Sequence, residues 1–227
     1  MGETIERLED VRPGDLLITN IGGLVPGVFP VGAGQLACGE RVRIGPFTAD
    51  HVLVVTEASR LLPPDDAYPT GVITAPKGVQ AMPRGAEEIE LSYAKHWTRK
   101  CAYFRLPEDY PGQGLDAATI ARAMIDTPYS FGSYVLLARW RFGVESAELE
   151  AKINRRRPAQ PVELVRGRTM VELPEESICS VLGDQAWSLT GKRVVEGVAP
   201  QCVMPGKLAM QLWTRPGVVR GGPAILG

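Results

Sequence analysis

One cysteine of the chain lies where a helix is expected to begin. Cys179 follows two acidic residues and Ser177, a residue type that caps helix N-termini. Apolar residues then recur at helical spacing, at Ile178, Leu182, Ala186 and Leu189. A thiol at a helix N-terminus has a lowered pKa and its thiolate is a nucleophile, so Cys179 is a candidate for covalent catalysis. The alternative is an inert core residue, since free cysteines are often buried.

The choice of a general base is narrow, because the chain has only 2 histidines. His51 opens the apolar run His51–Thr56, which predicts a strand, and a side chain at a strand end can reach over a helix N-terminus. His96 lies in a polar stretch, and we expect it at the surface. The alternative for His51 is a hydrogen-bonded strand-end histidine without a catalytic role.

Composition bounds the class of protein. The 227 residues are 44% apolar and 22% charged, which is typical of one sizeable globular core. A formal net charge of -1 gives no electrostatic reason to expect nucleic acid or an anionic membrane as a partner. The four cysteines have no CxxC spacing, which argues against a zinc site and, more weakly, against a disulfide framework. We expect no metal and no cofactor.

The sequence shows no secretory signal and no apolar run near the roughly 20 residues of a membrane helix. We therefore expect a cytoplasmic protein by default. Action on cell-wall material would need another route, such as lysis or a phage particle.

Several elements must position these residues. Pro13–Gly14–Asp15 predicts a turn that leads into a strand, and the short runs 71–75 and 78–82 predict two strands after His51–Thr56, so an antiparallel sheet is expected. Helical periodicity over 115–125 adds helices to an α+β fold.

We predict a single domain over residues 1–216. It has a long loop at 21–47, for which we consider one hairpin, and a helical insertion at 133–175 that contains a polar helix over 146–157 with the basic run 155–157 at its end. Residues 217–227 are Gly/Pro-rich and predict a tail without a core pattern.

The order of short motifs resembles a known family. These motifs are Pro13–Leu16, His51–Val52, Val72–Ala75, Thr127–Tyr129, Cys179–Ser180 and Met204–Gly206. They resemble the circularly permuted NlpC-type papain-like cysteine hydrolases, which include the YiiX-like amidases and, more distantly, the lecithin:retinol acyltransferase group. In the permuted order the histidine strand precedes the cysteine helix, as it does here, and the resemblance spans residues 11–210 in short islands.

The resemblance implies a papain-like fold in which a central antiparallel sheet packs against the helix that begins at the catalytic cysteine. It implies Cys179 as the nucleophile, His51 as the general base and Thr74 as the third polar residue that orients the imidazole. It also implies that Tyr129 and Ser180 lie at the oxyanion or substrate. One departure is Thr74 itself, which carries no charge, where the family usually has an acidic residue or a histidine.

The expected function is therefore hydrolysis of an amide bond, in a peptide or a peptidoglycan stem, through an acyl-enzyme on Cys179. Two alternatives stay open. An acyltransferase or lipid-directed thiol hydrolase on the same fold would use the apolar 21–47 loop, although ordinary packing explains that loop equally. A catalytically inactive binding or structural protein is favoured by Thr74 and by Val181, where YiiX-like proteins commonly have glutamate. The expected partner is a small-molecule, peptide or acyl substrate, and the sequence leaves the oligomeric state open.

Overall fold

The computed structural model of the chain describes residues 4–20, 42–44, 47–66, 69, 71–198 and 203–226. The strands are β1 (Leu16–Thr19), β2 (Val42–Ile44), β3 (Phe47–Ala49), β4 (His51–Glu57), β5 (Arg60–Leu62), β6 (Val72–Thr74), β7 (Lys77–Met82), β8 (Gly85–Glu90), β9 (Cys101–Arg105), β10 (Gln160–Leu164), β11 (Gly167–Val171) and β12 (Val219–Gly221). The helices are α1 (Tyr93–His96), α2 (Gln113–Ala123), α3 (Phe131–Arg141), α4 (Ala147–Ile153), α5 (Cys179–Ser188), α6 (Pro205–Thr214) and α7 (Pro223–Leu226). A short 3-10 helix spans Leu8–Asp10.

A six-stranded sheet in the order β12-β9-β1-β4-β7-β8 forms the centre of the fold. Every neighbouring pair in it is antiparallel. Together with the helices, this sheet confirms the predicted α+β class with a central antiparallel sheet. None of the described helices is long and apolar enough to cross a membrane.

Strand β4 is buried from His51 to Thr56, so both of its faces are covered. Since side chains alternate along a strand, Val52 and Val54 point to one face and Leu53 and Val55 to the other. The first pair belongs to a core cluster that includes α5, and the second pair belongs to a separate cluster with Leu8 and Leu91. The apolar, β-branched sequence of β4 fits a strand that is buried on both sides.

Helix α5 packs closely against the first of these faces. A Cβ atom on Gly183, one turn after the helix begins, would lie 3.1 Å from Cγ1 of Val52. The missing side chain therefore lets the helix approach β4, and the N-terminus of α5 comes to the end of β4 where the strand begins. A single glycine, rather than a recognisable motif, allows this close contact between α5 and β4.

The predicted turn before β1 also holds α5. Gly14 has a φ of 90°, which favours glycine, and its carbonyl accepts a 2.9 Å hydrogen bond from the Trp187 indole. Asp15 is buried and accepts two hydrogen bonds from Arg105, of 2.8 and 2.7 Å. The Pro-Gly-Asp turn therefore joins β1, β9 and α5.

Two of the predicted boundaries are wrong. Residues 217–227 do not form a tail without a core role, because β12 pairs with β9 and extends the central sheet. The 133–175 insertion is not helical throughout, because β10 and β11 form an antiparallel hairpin after α4. All three strands are short and each contains a glycine or a proline, so they show no clear strand periodicity.

The predicted 21–47 loop lies largely outside the described residues. Its described end forms an antiparallel hairpin of β2 and β3, which agrees with the hairpin considered for that segment. Residues 21–41, which carry the apolar side chains considered for an acyl chain, are outside the described part of the chain.

Candidate active site

The predicted helix start at Cys179 is confirmed, but the predicted cap is wrong. The residue that precedes the helix is Ile178, and no side chain caps the first turn. The Ser177 hydroxyl instead donates a 3.0 Å hydrogen bond to the Ile178 carbonyl. The first-turn N–H groups of α5 are therefore free of a side-chain cap, as a site that stabilises an anion at this helix end would require.

The Cys179 thiol is 1% exposed. Burial raises the pKa of the thiol to about 12; the Val52 N–H opposes this rise and the Asp50 carboxylate adds to it. The backbone N–H groups of Ser180 and Cys179 itself also lower the pKa. At neutral pH the sulfur is therefore a protonated thiol at the helix N-terminus, and the expected lowering of its pKa is not observed.

The imidazole of His51 belongs to a chain of three polar side chains. Its Nε2 lies 2.9 Å from Oε1 of Gln80, and Nε2 of Gln80 donates a 3.0 Å hydrogen bond to Glu87. Because a carboxylate only accepts, Glu87 fixes the amide of Gln80 with its oxygen toward the imidazole. We infer that Nε2 of His51 carries the proton and that Nδ1 holds the free lone pair.

Burial also sets the charge of this imidazole. It lowers the pKa of His51 to about 4, and the hydrogen bond with Gln80 opposes that shift without reversing it. The nearby Lys95 charge lowers the pKa further. His51 is therefore neutral at physiological pH and able to accept a proton at Nδ1.

Cys179 and His51 lie at the same end of β4, on either side of its backbone. The thiol interacts with the N–H of Val52, the residue that follows His51. Strand alternation directs the imidazole to the other face of β4, toward Gln80. No hydrogen bond joins the Cys179 sulfur to the imidazole among the residues that the structure describes. The structure brings the two residues to adjacent backbone positions but leaves their side chains unpaired.

The expectation for Thr74 is wrong. Thr74 lies on β6, which pairs with β5 in a two-stranded sheet apart from the central one. Its hydroxyl donates a 3.3 Å hydrogen bond to the Arg60 carbonyl. In the central sheet β4 pairs with β1 on one side and with β7 on the other, and the polar residue that β7 presents to His51 is Gln80.

Tyr129 lies beside the cysteine, as expected for a residue that lines the site. It forms a parallel bridge with Ser177, two residues before Cys179. Burial raises the pKa of its phenol, and the Cys179 thiol and the Tyr134 hydroxyl raise it further. The two tyrosine hydroxyls lie 2.9 Å apart, so one donates to the other.

Ser180 does not offer its side chain to a substrate, which corrects that expectation. The hydroxyl is fully buried and donates a 2.6 Å hydrogen bond to the Val203 carbonyl. Only the backbone N–H of Ser180 faces the thiol. Any contribution of this residue to an oxyanion site would come from the main chain.

The surface position expected for His96 is wrong as well. The side chain is 4% exposed, and its Nδ1 accepts a 2.9 Å hydrogen bond from the Ser92 N–H. Its carbonyl accepts a 3.2 Å hydrogen bond from the Tyr103 hydroxyl, which fixes α1 on the sheet. The polar neighbours of His96 in sequence gave no signal of this burial.

A pocket of about 130 Å³ lies between α1 and the central sheet. The sheet contributes His51, Leu53, Gln80 and Met82, and α1 contributes Lys95 and His96. Both histidines of the chain therefore line one pocket, and sequence analysis had separated them. The sequence predicts the strand that carries Gln80 but not the pairing of that strand with β4. Sequence patterns alone therefore do not place Gln80 beside His51.

The described residues contain no group of three or more His, Cys, Asp or Glu side chains that could hold a metal ion. The two cysteines among them, Cys101 and Cys179, are free thiols. Comparison with known proteins gave no match to a family model, a curated protein or a solved structure.

Proposed function

We propose that the protein is a cysteine hydrolase that cleaves an amide bond, with Cys179 as the nucleophile and His51 as the general base. The observation that carries the proposal is the His51–Gln80–Glu87 chain of hydrogen bonds at the end of β4 that the N-terminus of α5 approaches. A base with a third group that fixes its tautomer is the arrangement that nucleophilic catalysis requires. The papain-like permuted family remains part of this proposal, and the central sheet with α5 packed against it is compatible with it.

The reaction would begin from two neutral side chains. Nδ1 of His51 takes the proton of the thiol as the Cys179 sulfur attacks the carbonyl carbon. For this step the two atoms must come within hydrogen-bond distance. Because they lie on opposite faces of β4, His51 at the start of the strand would have to turn toward α5 when substrate binds, with Gln80 holding the Nε2 proton until then.

The helix end would stabilise the charge that develops on the carbonyl oxygen. The backbone N–H groups of Cys179 and Ser180 already act on the sulfur. First-turn N–H groups and the helix dipole favour an anion at this position. The protonated His51 then gives its proton to the leaving amine, and water, activated by the same imidazole, releases the acyl group from Cys179.

One observation favours the second candidate, a binding protein without catalysis. Burial of Cys179 to 1% exposure and a thiol pKa of about 12 describe an inert core cysteine. In that case the His51–Gln80–Glu87 chain would serve to hold β4, β7 and β8 in register.

Substrate profiling with matched thiol variants tests the proposal. N-acyl dipeptides, muropeptides and acyl esters are incubated with the wild type, Cys179→Ala, His51→Ala and the control Cys101→Ala. The proposal expects hydrolysis of an amide substrate and a trapped acyl adduct on Cys179 by mass spectrometry, both lost in the first two variants and retained in the control.

The same experiment separates the alternatives. Transfer of the acyl group to an added amine or alcohol, at the expense of hydrolysis, would indicate the acyltransferase. Turnover that survives in Cys179→Ala, or the absence of any adduct with every substrate class, would contradict the hydrolase and favour the binding protein.

A further inference from the structure

His96 is a buried side chain with one polar atom left for a ligand. Its Nδ1 accepts the Ser92 N–H at 2.9 Å, so the proton of the neutral ring is on Nε2. Nε2 has no hydrogen-bond partner among the residues that the structure describes. The side chain is only 4% exposed and lines the pocket between α1 and the sheet. Nε2 is not one of the buried polar atoms without a partner, so it is open to the pocket, which makes this N–H a candidate ligand contact.

The charge around the pocket has one sign. Lys95 is its only formally charged lining residue, and no carboxylate side chain lines it among the described residues. The charge of Lys95 acts on the interior of the pocket, because it lowers the pKa of His51, which lines it. His96 adds an N–H donor, and burial lowers its pKa to about 4, so the ring stays neutral and keeps its Nδ1 contact with Ser92.

We propose that this pocket is a carboxylate-binding subsite, in which the Nε2–H of His96 and the ammonium group of Lys95 hold the free carboxylate of a small terminal residue. A carboxylate accepts from both donors at once, and hydrogen bonds to a charged group are the stronger ones. Leu53 and Met82 supply an apolar wall for a short side chain.

The size of the pocket limits the ligand. Its volume of about 130 Å³ is small beside the roughly 300–1,000 Å³ of typical ligand pockets. A pocket of this size suits a small group, such as the carboxyl end of an alanine residue. The subsite therefore favours peptide material with a free carboxyl end, and this choice of substrate rests on the proposed function, whereas the binding itself does not.

Histidine NMR tests the subsite directly, because His51 and His96 are the only histidines. The imidazole ¹H–¹⁵N signals are followed while the full-length Cys179→Ala protein is titrated with N-acetylalanine or with its neutral analogue N-acetylalaninamide. We expect a saturable shift of the His96 Nε2 signal with the acid. The amide should bind at least about tenfold more weakly, as the loss of a charged acceptor predicts.

Two variants test the contributions of Lys95 and His96 separately. Lys95→Met changes an exposed side chain, preserves its length and removes its charge, so it should weaken the acid by about tenfold and leave the amide unchanged. His96→Asn keeps an acceptor for the Ser92 N–H, but its shorter amide places no N–H at the position of the imidazole Nε2, so it should weaken the acid to a similar extent with the fold intact.

The outcomes are distinct from those for the hydrolase, since Cys179 is absent throughout. Equal affinity for acid and amide, or no saturable shift of His96, would overturn the subsite while leaving catalysis by Cys179 undecided. Binding of the acid by Cys179→Ala, together with no turnover of any amide substrate by the wild type, would support the subsite and reject the hydrolase.

Discussion

The His51–Gln80–Glu87 chain allows a charge to be moved next to the imidazole without changing the net charge of the protein. The double variant Gln80→Glu, Glu87→Gln exchanges the two side chains. The new carboxylate at position 80 would accept the Nε2–H of His51, and the new amide at position 87 would donate to that carboxylate. The 2.9 Å hydrogen bond between residues 51 and 80 is kept. The 3.0 Å hydrogen bond between residues 80 and 87 is kept as well, but residue 87 becomes the donor and residue 80 the acceptor.

The expected effect is a higher pKa for His51. A carboxylate within hydrogen-bond distance favours the protonated imidazole by about 1–3 pH units. The pKa should therefore rise from about 4 to between about 5 and 7. If His51 is the general base, the double variant should also hydrolyse substrate faster near neutral pH, since the imidazolium formed in the transition state is stabilised.

An NMR pH titration of the two histidines measures this shift, with His96 as the internal reference. Glu87→Gln alone is the matched control, because it alters an exposed carboxylate and leaves Gln80 beside the imidazole. A His51 pKa that stays near 4 in the double variant, with the fold unchanged, would refute the inferred tautomer and the role of Gln80.

Three further outcomes follow from buried groups. In the absence of substrate, the rate of alkylation of Cys179 by iodoacetamide, plotted against pH, should have no midpoint below about pH 10. At pH 8 the rate should be about 10³-fold lower than that of a thiol of ordinary pKa, and a midpoint near the ordinary value of about 8.5 would contradict the raised pKa. Because the folded pKa of His51 is lowered from 6.5 to about 4, its contribution to stability is present above pH 6.5 and falls by about 3 kcal/mol as the pH drops to 4. Urea unfolding should show that loss in the wild type relative to His51→Asn, and parallel curves would contradict it. Arg105→Met leaves the buried Asp15 without its 2.7 Å partner and should cost about 3–5 kcal/mol in urea unfolding, whereas a loss below about 1 kcal/mol would show that Asp15 is neutral.

Sequence patterns located the parts of the candidate site that depend on local structure. The helix start at Cys179 and the strand at His51 follow from apolar periodicity, which reports burial of one element at a time. Tyr129 was found beside the cysteine because its motif was part of the family resemblance. These predictions needed no knowledge of which strands pair.

The parts that failed depend on long-range pairing. Thr74 is on the first strand that the sequence predicts after β4, but the later strand β7, which carries Gln80, is the one that pairs with β4. Strand β6 pairs with β5 instead, and strand patterns do not report which strands pair. His96 is buried by the packing of α1 rather than by its polar neighbours. The side chain of Ser180 is used by the Val203 carbonyl, a contact between segments far apart in sequence.

The order of the strands in the central sheet has a kinetic consequence. Strands β4, β7 and β8 are close in the chain and can pair early. The other half of the sheet forms only after Ile18 pairs with Ala102 and Phe104 pairs with Arg220. Distant pairings of this kind slow folding to the millisecond-to-second range. Until β12 pairs, the edge of β9 has unpaired backbone N–H and C=O groups that can bind a strand of another molecule. The refolding yield should therefore fall as the protein concentration rises, and more steeply in variants that weaken the pairing of β12 with β9.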